Sequence, residues 1–187
     1  MDTNKKLVCG VGYNDLTLKG NEKVYQQWTN MLNRCYDPKF HIKNPTYKGC
    51  YVCEEWLTFS KFKEWFNVNN RIGMQNDKDI LNKGNKIYCP EYCRFVPQEI
   101  NKLLNGYDNG RGKYKPGVSW NKRAQKYSAQ INRGDDKEHI GLFATEQEAF
   151  NAYKIEKELW IKSRADWYYS IGLIGLEINT ALHDWKI

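Results

Sequence analysis

Cys50-x-x-Cys53 and Cys89-x-x-x-Cys93 are two close cysteine pairs in a chain of 187 residues. Four thiolates grouped in this way form the ligand set of a structural zinc site, whose closed tetrahedral shell contributes folding free energy. Cys35 can stand in for Cys89 in that set. Burial of the same thiols as small hydrophobic side chains fits the spacing equally well. A second chemistry rests on Asp77 and Asp79, whose carboxylates hold Mg²⁺ if they converge and are otherwise solvated or salt-bridged. A third is recognition of a polyanion. Seven of the 29 Lys and Arg residues fall between Arg111 and Gly134 (Arg111, Lys113, Lys115, Lys122, Arg123, Lys126, Arg133), with no acidic residue among them. Outside that stretch basic and acidic residues are equal in number, so the formal charge of +7 is concentrated there. Interleaved with Tyr114, Trp120 and Tyr127, it has the composition of a nucleic-acid site.

The rest of the composition bounds the class. A hydrophobic fraction of 41% suits a folded chain of one medium or two small domains. No stretch approaches the ~18 consecutive apolar residues of a membrane span, so no membrane partner is expected. Met1-Asp-Thr-Asn-Lys-Lys6 lacks the apolar core of a signal peptide, which points to a cytoplasmic protein. A reducing compartment argues against disulfides among the six cysteines.

The elements that must position these groups are legible from periodicity. Asn105-Gly-Tyr-Asp-Asn-Gly-Arg-Gly112 is dense in turn formers and reads as a linker over 106–112. Before it, Tyr25, Trp28, Leu32 and Cys35 recur at helical spacing and predict a helix over 24–34. A loop containing Pro38 and Pro45 follows, then a helix marked by Phe59, Phe62 and Phe66 that starts near Thr58 or Ser60. Lys78 to Cys93 is expected to form a hairpin-like stretch turning at Asn82-Lys-Gly-Asn85, and Pro97 to open a short helix over 98–104.

Beyond the linker, Val118 and Trp120, then Tyr127, Ala129 and Ile131, then Ile140 and Leu142 predict three strands joined through Asn121–Gln125 and Arg133–Asp136. Thr145 with Glu148 three residues on is a capping box, and Ala149, Ala152, Tyr153 and Trp160 mark one face of the helix it begins. A last helix is expected between Gly175 and Trp185. One face of such a sheet is buried by the helix. Ser119, Gln130, Asn132 and His139 then point the other way, with Lys122, Arg123, Lys126 and Arg133 close by. Polar side chains flanked by cations suit the DNA major groove, where cations pair with phosphates and amides reach base edges.

Gly117-Val-Ser-Trp120, Lys126-Tyr-Ser-Ala-Gln-Ile131, Ile140-Gly-Leu-Phe143, Thr145, Glu148-Ala149 and Ala152-Tyr153 together resemble the AP2/ERF DNA-binding domain over about 113–165. The resemblance implies a sheet that reads duplex DNA, with Ser119, Lys122, Arg123, Asn132 and His139 at the matching positions. The plant-type domains carry Arg where this chain has Ser119 and Asn132, and Trp where it has His139.

Trp28-x-x-Met31-x-x-Arg34-Cys35-Tyr36, Cys50-x-x-Cys53-Glu-Glu-Trp56, Phe59-x-x-Phe62, Asp77-Lys-Asp79 and Pro90-Glu-Tyr-Cys93 resemble the HNH endonucleases of phages and mobile elements, which often carry an AP2-like domain behind the nuclease. That resemblance implies a metal-dependent site at Asp77, Asp79 and Asn101. The family pattern places a His after the first Asp and an Asn after Pro-Glu; here Lys78 and Tyr92 stand in those positions. A Lys ammonium neither ligates a metal nor serves as a general base at neutral pH.

The expected fold class is α+β. An HNH-like, ββα-type unit over 1–105, zinc-stabilised if the cysteines assemble, precedes the 106–112 linker and an AP2-like three-stranded antiparallel sheet packed on a helix over 113–187. The expected function is a phage or mobile-element protein that binds double-stranded DNA in the bacterial cytoplasm and carries a degenerate nuclease unit. Two rivals stand beside it: an active metal-dependent endonuclease using Mg²⁺, and an interaction protein that inhibits a host nuclease or defence complex.

Overall fold

The computed structural model describes residues 7–104 and 113–187. Arg111 and the linker expected over 106–112 lie outside the described residues. The chain divides into two compact units, Met1–Phe95 and Val96–Ile187. The division falls ahead of the boundary expected at 105, because the helix over 98–104 belongs to the second unit. Its Glu99 is bound there by Arg164 (2.8 Å) and by the Tyr168 hydroxyl (2.7 Å).

The first unit is built on helix α1 (Glu22–Tyr36), which buries Val24, Trp28, Met31, Leu32 and Cys35 along one stripe. Trp28 lies among Tyr25 and Phe59, and its indole N–H donates to the Trp56 carbonyl at 2.7 Å. That bond satisfies the one polar atom of a fully buried ring. The loop expected around Pro38 and Pro45 is instead helical. Helix α2 (Pro38–Lys43) has Pro38 in its first turn and Asp37 as N-cap, whose carboxylate accepts from Lys39 N at 2.8 Å. A 3₁₀ turn over Pro45–Tyr47 follows. Both prolines start helical turns, the position where a missing N–H costs nothing. Strand β1 (Tyr51–Val52) precedes helix α3 (Phe59–Asn69), whose N-cap is Thr58 and which buries Phe59 and Phe62 in the same core.

The hairpin expected over 78–93 is absent. Strand β2 (Met74–Asp77) pairs with β4 (Arg94–Pro97), whereas β3 (Ile87–Tyr88) runs parallel to β1. Side chains hold the intervening loop closed. Asn85 donates to the carbonyls of Lys78 (2.9 Å) and Ile87 (2.7 Å), and accepts from Ile87 N at 3.1 Å.

The second unit opens with helix α4 (Gln98–Leu104). Strands β5 (Val118–Asn121), β6 (Lys126–Arg133) and β7 (Asp136–Phe143) then form an antiparallel sheet in that order. Ile140 and Gly141 lie together opposite Ala129, a bulge that turns Ile140 onto the face carrying Ala129 and Ile131. Helix α5 (Glu146–Ser170) covers that face, starting at the Thr145/Glu148 capping box. Gly117 sits where the sheet meets the helix. Its φ is +73°, and a Cβ there would fall 2.1 Å from the Tyr153 ring, so no side chain fits. Helix α6 (Leu176–His183) folds back on α5, where Asp166 accepts from Asn179 (3.1 Å) and pairs with His183 (2.7 Å).

Candidate nucleic-acid interface

Strand alternation gives the sheet a polar face that α5 does not cover. Cross-strand register puts Ser119 opposite Ser128, Gln130 opposite His139 and Asn132 opposite Lys137. A short network runs over this face. Gln130 Nε2 donates to Ser128 Oγ at 3.2 Å, and that hydroxyl lies 3.2 Å from His139 Nδ1. Ser119, Asn132, Lys137 and His139 are exposed, whereas Ser128 is buried beneath its neighbours.

The turn from β5 to β6 carries the cations. Asn121 Oδ1 accepts from the backbone N–H groups of Arg123 (3.1 Å) and Ala124 (3.0 Å), and Gln125 Nε2 donates to the Lys122 carbonyl at 2.7 Å. Gln125 takes a φ of +52° to close the turn. The backbone is thereby fixed while Lys122, Arg123 and Lys126 remain exposed at one end of the polar face. Such an Asx-type turn needs its hydrogen-bonding side chains and leaves its cations available to a ligand.

Other cations of the basic stretch are engaged elsewhere. Arg133, expected to face DNA, belongs to the opposite alternation. It pairs with Glu138 (2.9 Å) and Glu156 (2.7 Å) and lies over the Trp160 ring. Lys115 is tied to the start of α5: its backbone N–H donates to Glu146 at 2.7 Å, and its ammonium reaches Gln147 and the Phe150 ring.

Two functional candidates escape a reading of charge runs alone. Lys137 becomes visible once the turn Arg133–Asp136 is used to count register back from Asn132. Lys157 interrupts the buried stripe Ala149, Tyr153, Ile161 and Ala165 of α5 at four-residue spacing, a pattern that would have marked it. Burial pushes its ammonium down to about 8.

In the first unit the expected nuclease residues are occupied in holding the loop. Asp77 Oδ1 accepts from the N–H groups of Asp79 (2.7 Å) and Ile80 (3.0 Å). Burial, then the nearby Asp79 charge, raises the Asp77 carboxyl above its ordinary range, against those two bonds. Lys78 is buried; its ammonium binds both Asp79 oxygens at 2.7 Å and the Asn85 carbonyl at 2.5 Å. Asn101 lies on α4, in the other unit. His41 donates from Nε2 to the Arg34 carbonyl at 2.9 Å, closing α2 against the end of α1.

Cys35, Cys50 and Cys93 belong to the hydrophobic core with Trp28 and Phe59; Cys89 is buried and Cys53 half-buried. Burial pushes the Cys35 and Cys93 thiols up to about 12. Among the described residues, no three His, Cys, Asp or Glu side chains are grouped so as to hold a metal ion. Among the same residues, no helix is long and apolar enough to cross a membrane.

Compared with protein-family models, curated proteins and solved structures, the chain has no match.

Proposed function

We propose that the second unit reads duplex DNA through the polar face of its sheet, in the manner of an AP2-like domain, and that the first unit is a degenerate HNH-like scaffold of phage or mobile-element type. The observation that carries this reading is the β5–β6 turn. Its backbone is pinned by Asn121 and Gln125, and its three exposed cations border a face of hydroxyl, amide and imidazole groups. The sheet is about 10 Å wide between its outer strands, from a strand spacing of ~4.8 Å, and the major groove is ~12 Å wide. Lys122, Arg123 and Lys126 are suited to phosphates at the groove wall. Gln130 and Asn132 carry the donor–acceptor pair that an adenine edge requires.

The degenerate nuclease is supported by what Asp77 and Asp79 already do. Asp77 closes strand β2, and Lys78 follows it where the family pattern has a His. The two carboxylates are engaged by backbone N–H groups and by Lys78, not by an imidazole or a second ligand set. The DNA-reading function is tested by selecting bound sequences from a random duplex pool without divalent metal. Enrichment of a common motif is expected. Uniform recovery would favour a nonspecific cationic surface or a protein partner such as a host defence nuclease.

A further inference from the structure

β6 outruns β5. The ladder between them begins at Val118–Ala129, and Gln130 N–H is taken by the Gly117 carbonyl at 2.8 Å. From there to Arg133, β6 has no β5 residue beside it. A hollow of about 330 Å³ opens at this edge, bordered by Ser119, Gln130, Asn132 and Lys137 of the polar face and by Lys157 rising from α5. Two cations on different elements thus share one hollow with two amides and a hydroxyl. No carboxylate lines it among the described residues. Of the acids next to the two lysines in sequence, Glu138 and Glu156 pair with Arg133 and Glu158 with Lys154 and Lys186, while Asp136 is exposed and does not line the hollow.

Lys157 is only 9% exposed, and burial disfavours its charged form. A second cation, Lys137, borders the same hollow. An anion bound there would favour the charged form of Lys157, and charge-assisted bonds from Lys, Asn, Gln and Ser match a tetrahedral oxyanion. The hollow continues the polar face, so a nucleic-acid strand lying on that face has a phosphate within its reach. We propose that this edge hollow is a phosphodiester subsite, in which Lys157 and Lys137 clamp one backbone phosphate of duplex DNA bound on the sheet. The inference rests on the DNA-reading function proposed above. It makes the helix behind the sheet part of the interface, and fixes the register of the duplex along β6.

The test uses the full chain and a fluorescein-labelled 20-base-pair duplex, with affinity followed against salt and against pH. Lys157→Met keeps the length of the side chain inside a buried stripe, and Lys137→Gln alters an exposed position, so at least one variant keeps the fold. Each change should weaken binding about three- to tenfold and make the log–log salt slope shallower by about 0.9. Burial pushes the Lys157 ammonium down to about 8, so wild-type binding should take up a proton and weaken as pH rises from 7 to 9. The groups facing the hollow that carry charge are Lys137 and Lys157; Tyr153 is the remaining titratable side chain. Lys157→Met should abolish that pH dependence. Wild-type binding with an unchanged slope and pH profile in Lys157→Met overturns the subsite and leaves the sheet interface standing. Failure of the wild type to bind the duplex overturns both. Saturable binding of inorganic phosphate that is lost in Lys157→Met, without any duplex binding, would make the hollow a free-phosphate site and also overturn the assignment.

Discussion

The Asn121 carboxamide oxygen accepts the backbone N–H of Arg123 at 3.1 Å, so a neutral side chain sets the path on which two neighbouring cations stand. Asn121→Ala removes that acceptor and the one for Ala124 without changing charge. It should weaken duplex binding about three- to tenfold through lost preorganisation, at an unchanged salt slope. A variant that binds as tightly as wild type would show that the turn needs no pinning.

Sequence preference should reside in the amides. Asn132→Ala is expected to relax selectivity at one base position and to cost about 1–3 kcal/mol on the best selected site. Equal losses on selected and scrambled duplexes would limit Asn132 to backbone contact. Because Asn132 and Gln130 both border the edge hollow, His139→Ala, on the same face but outside the hollow, is the companion measurement.

Gly117→Ala should destabilise the second unit by about 2–4 kcal/mol, the combined scale of a strained φ and an overpacked contact. The cause is specific: the new methyl carbon would lie 2.1 Å from the Tyr153 ring at a φ of +73°. Thermal unfolding measures it, and a loss under 0.5 kcal/mol would mean that β5 and α5 separate easily.

Asp77 supplies a test of the degenerate nuclease that does not depend on activity. Its carboxyl is raised by burial, so charging it in the folded state costs free energy. A raised folded value gives stability that is fully present at low pH and lost as pH rises through that value. Asp77→Asn keeps the oxygen that accepts from Asp79 and Ile80 and removes the charge. It should therefore raise Tm at pH 7, with the gain closing below about pH 4. A lower Tm for Asp77→Asn at pH 7, with Mg²⁺ raising the Tm of the wild type but not of the variant, would point to a working metal site. Wild type should also show no Mg²⁺- or Mn²⁺-dependent nicking above a metal-free control; Lys78→His with Tyr92→Asn is the pair of changes with which restoration is tried.

The cysteines separate zinc from burial. With Cys35 and Cys93 held protonated to about pH 12, native protein at pH 8 should react with a thiol reagent mainly at Cys9 and Cys53, which are half-buried. All six should react after unfolding. Release of close to one equivalent of zinc during that reaction would support the Cys50, Cys53, Cys89, Cys93 ligand set instead.

Much of the second unit was legible because its signals are local. The capping box at Thr145, the alternation through β6 and the turn formers at Asn121–Gln125 each act within a few residues. The bulge at Ile140–Gly141 and the capture of Arg133 by Glu156 are tertiary, and neither periodicity nor a charge count contains them. In the first unit, pairing β1 with β3 joins segments more than thirty residues apart, so a local hairpin was expected where none forms. Pro38 misled for a simpler reason: proline ends a helix from within but begins one at its first turn, and only the bond from Asp37 distinguishes the two.

The salt dependence of duplex binding tests the central claim most directly. If about three to five phosphates are contacted by the exposed cations of the sheet, the wild-type log–log slope should be about −3 to −5. Changing Lys122 and Arg123 together to Ala should weaken all duplexes alike and flatten that slope by about 1.8. A slope unaltered in the double variant would contradict the account and move the DNA site off this face.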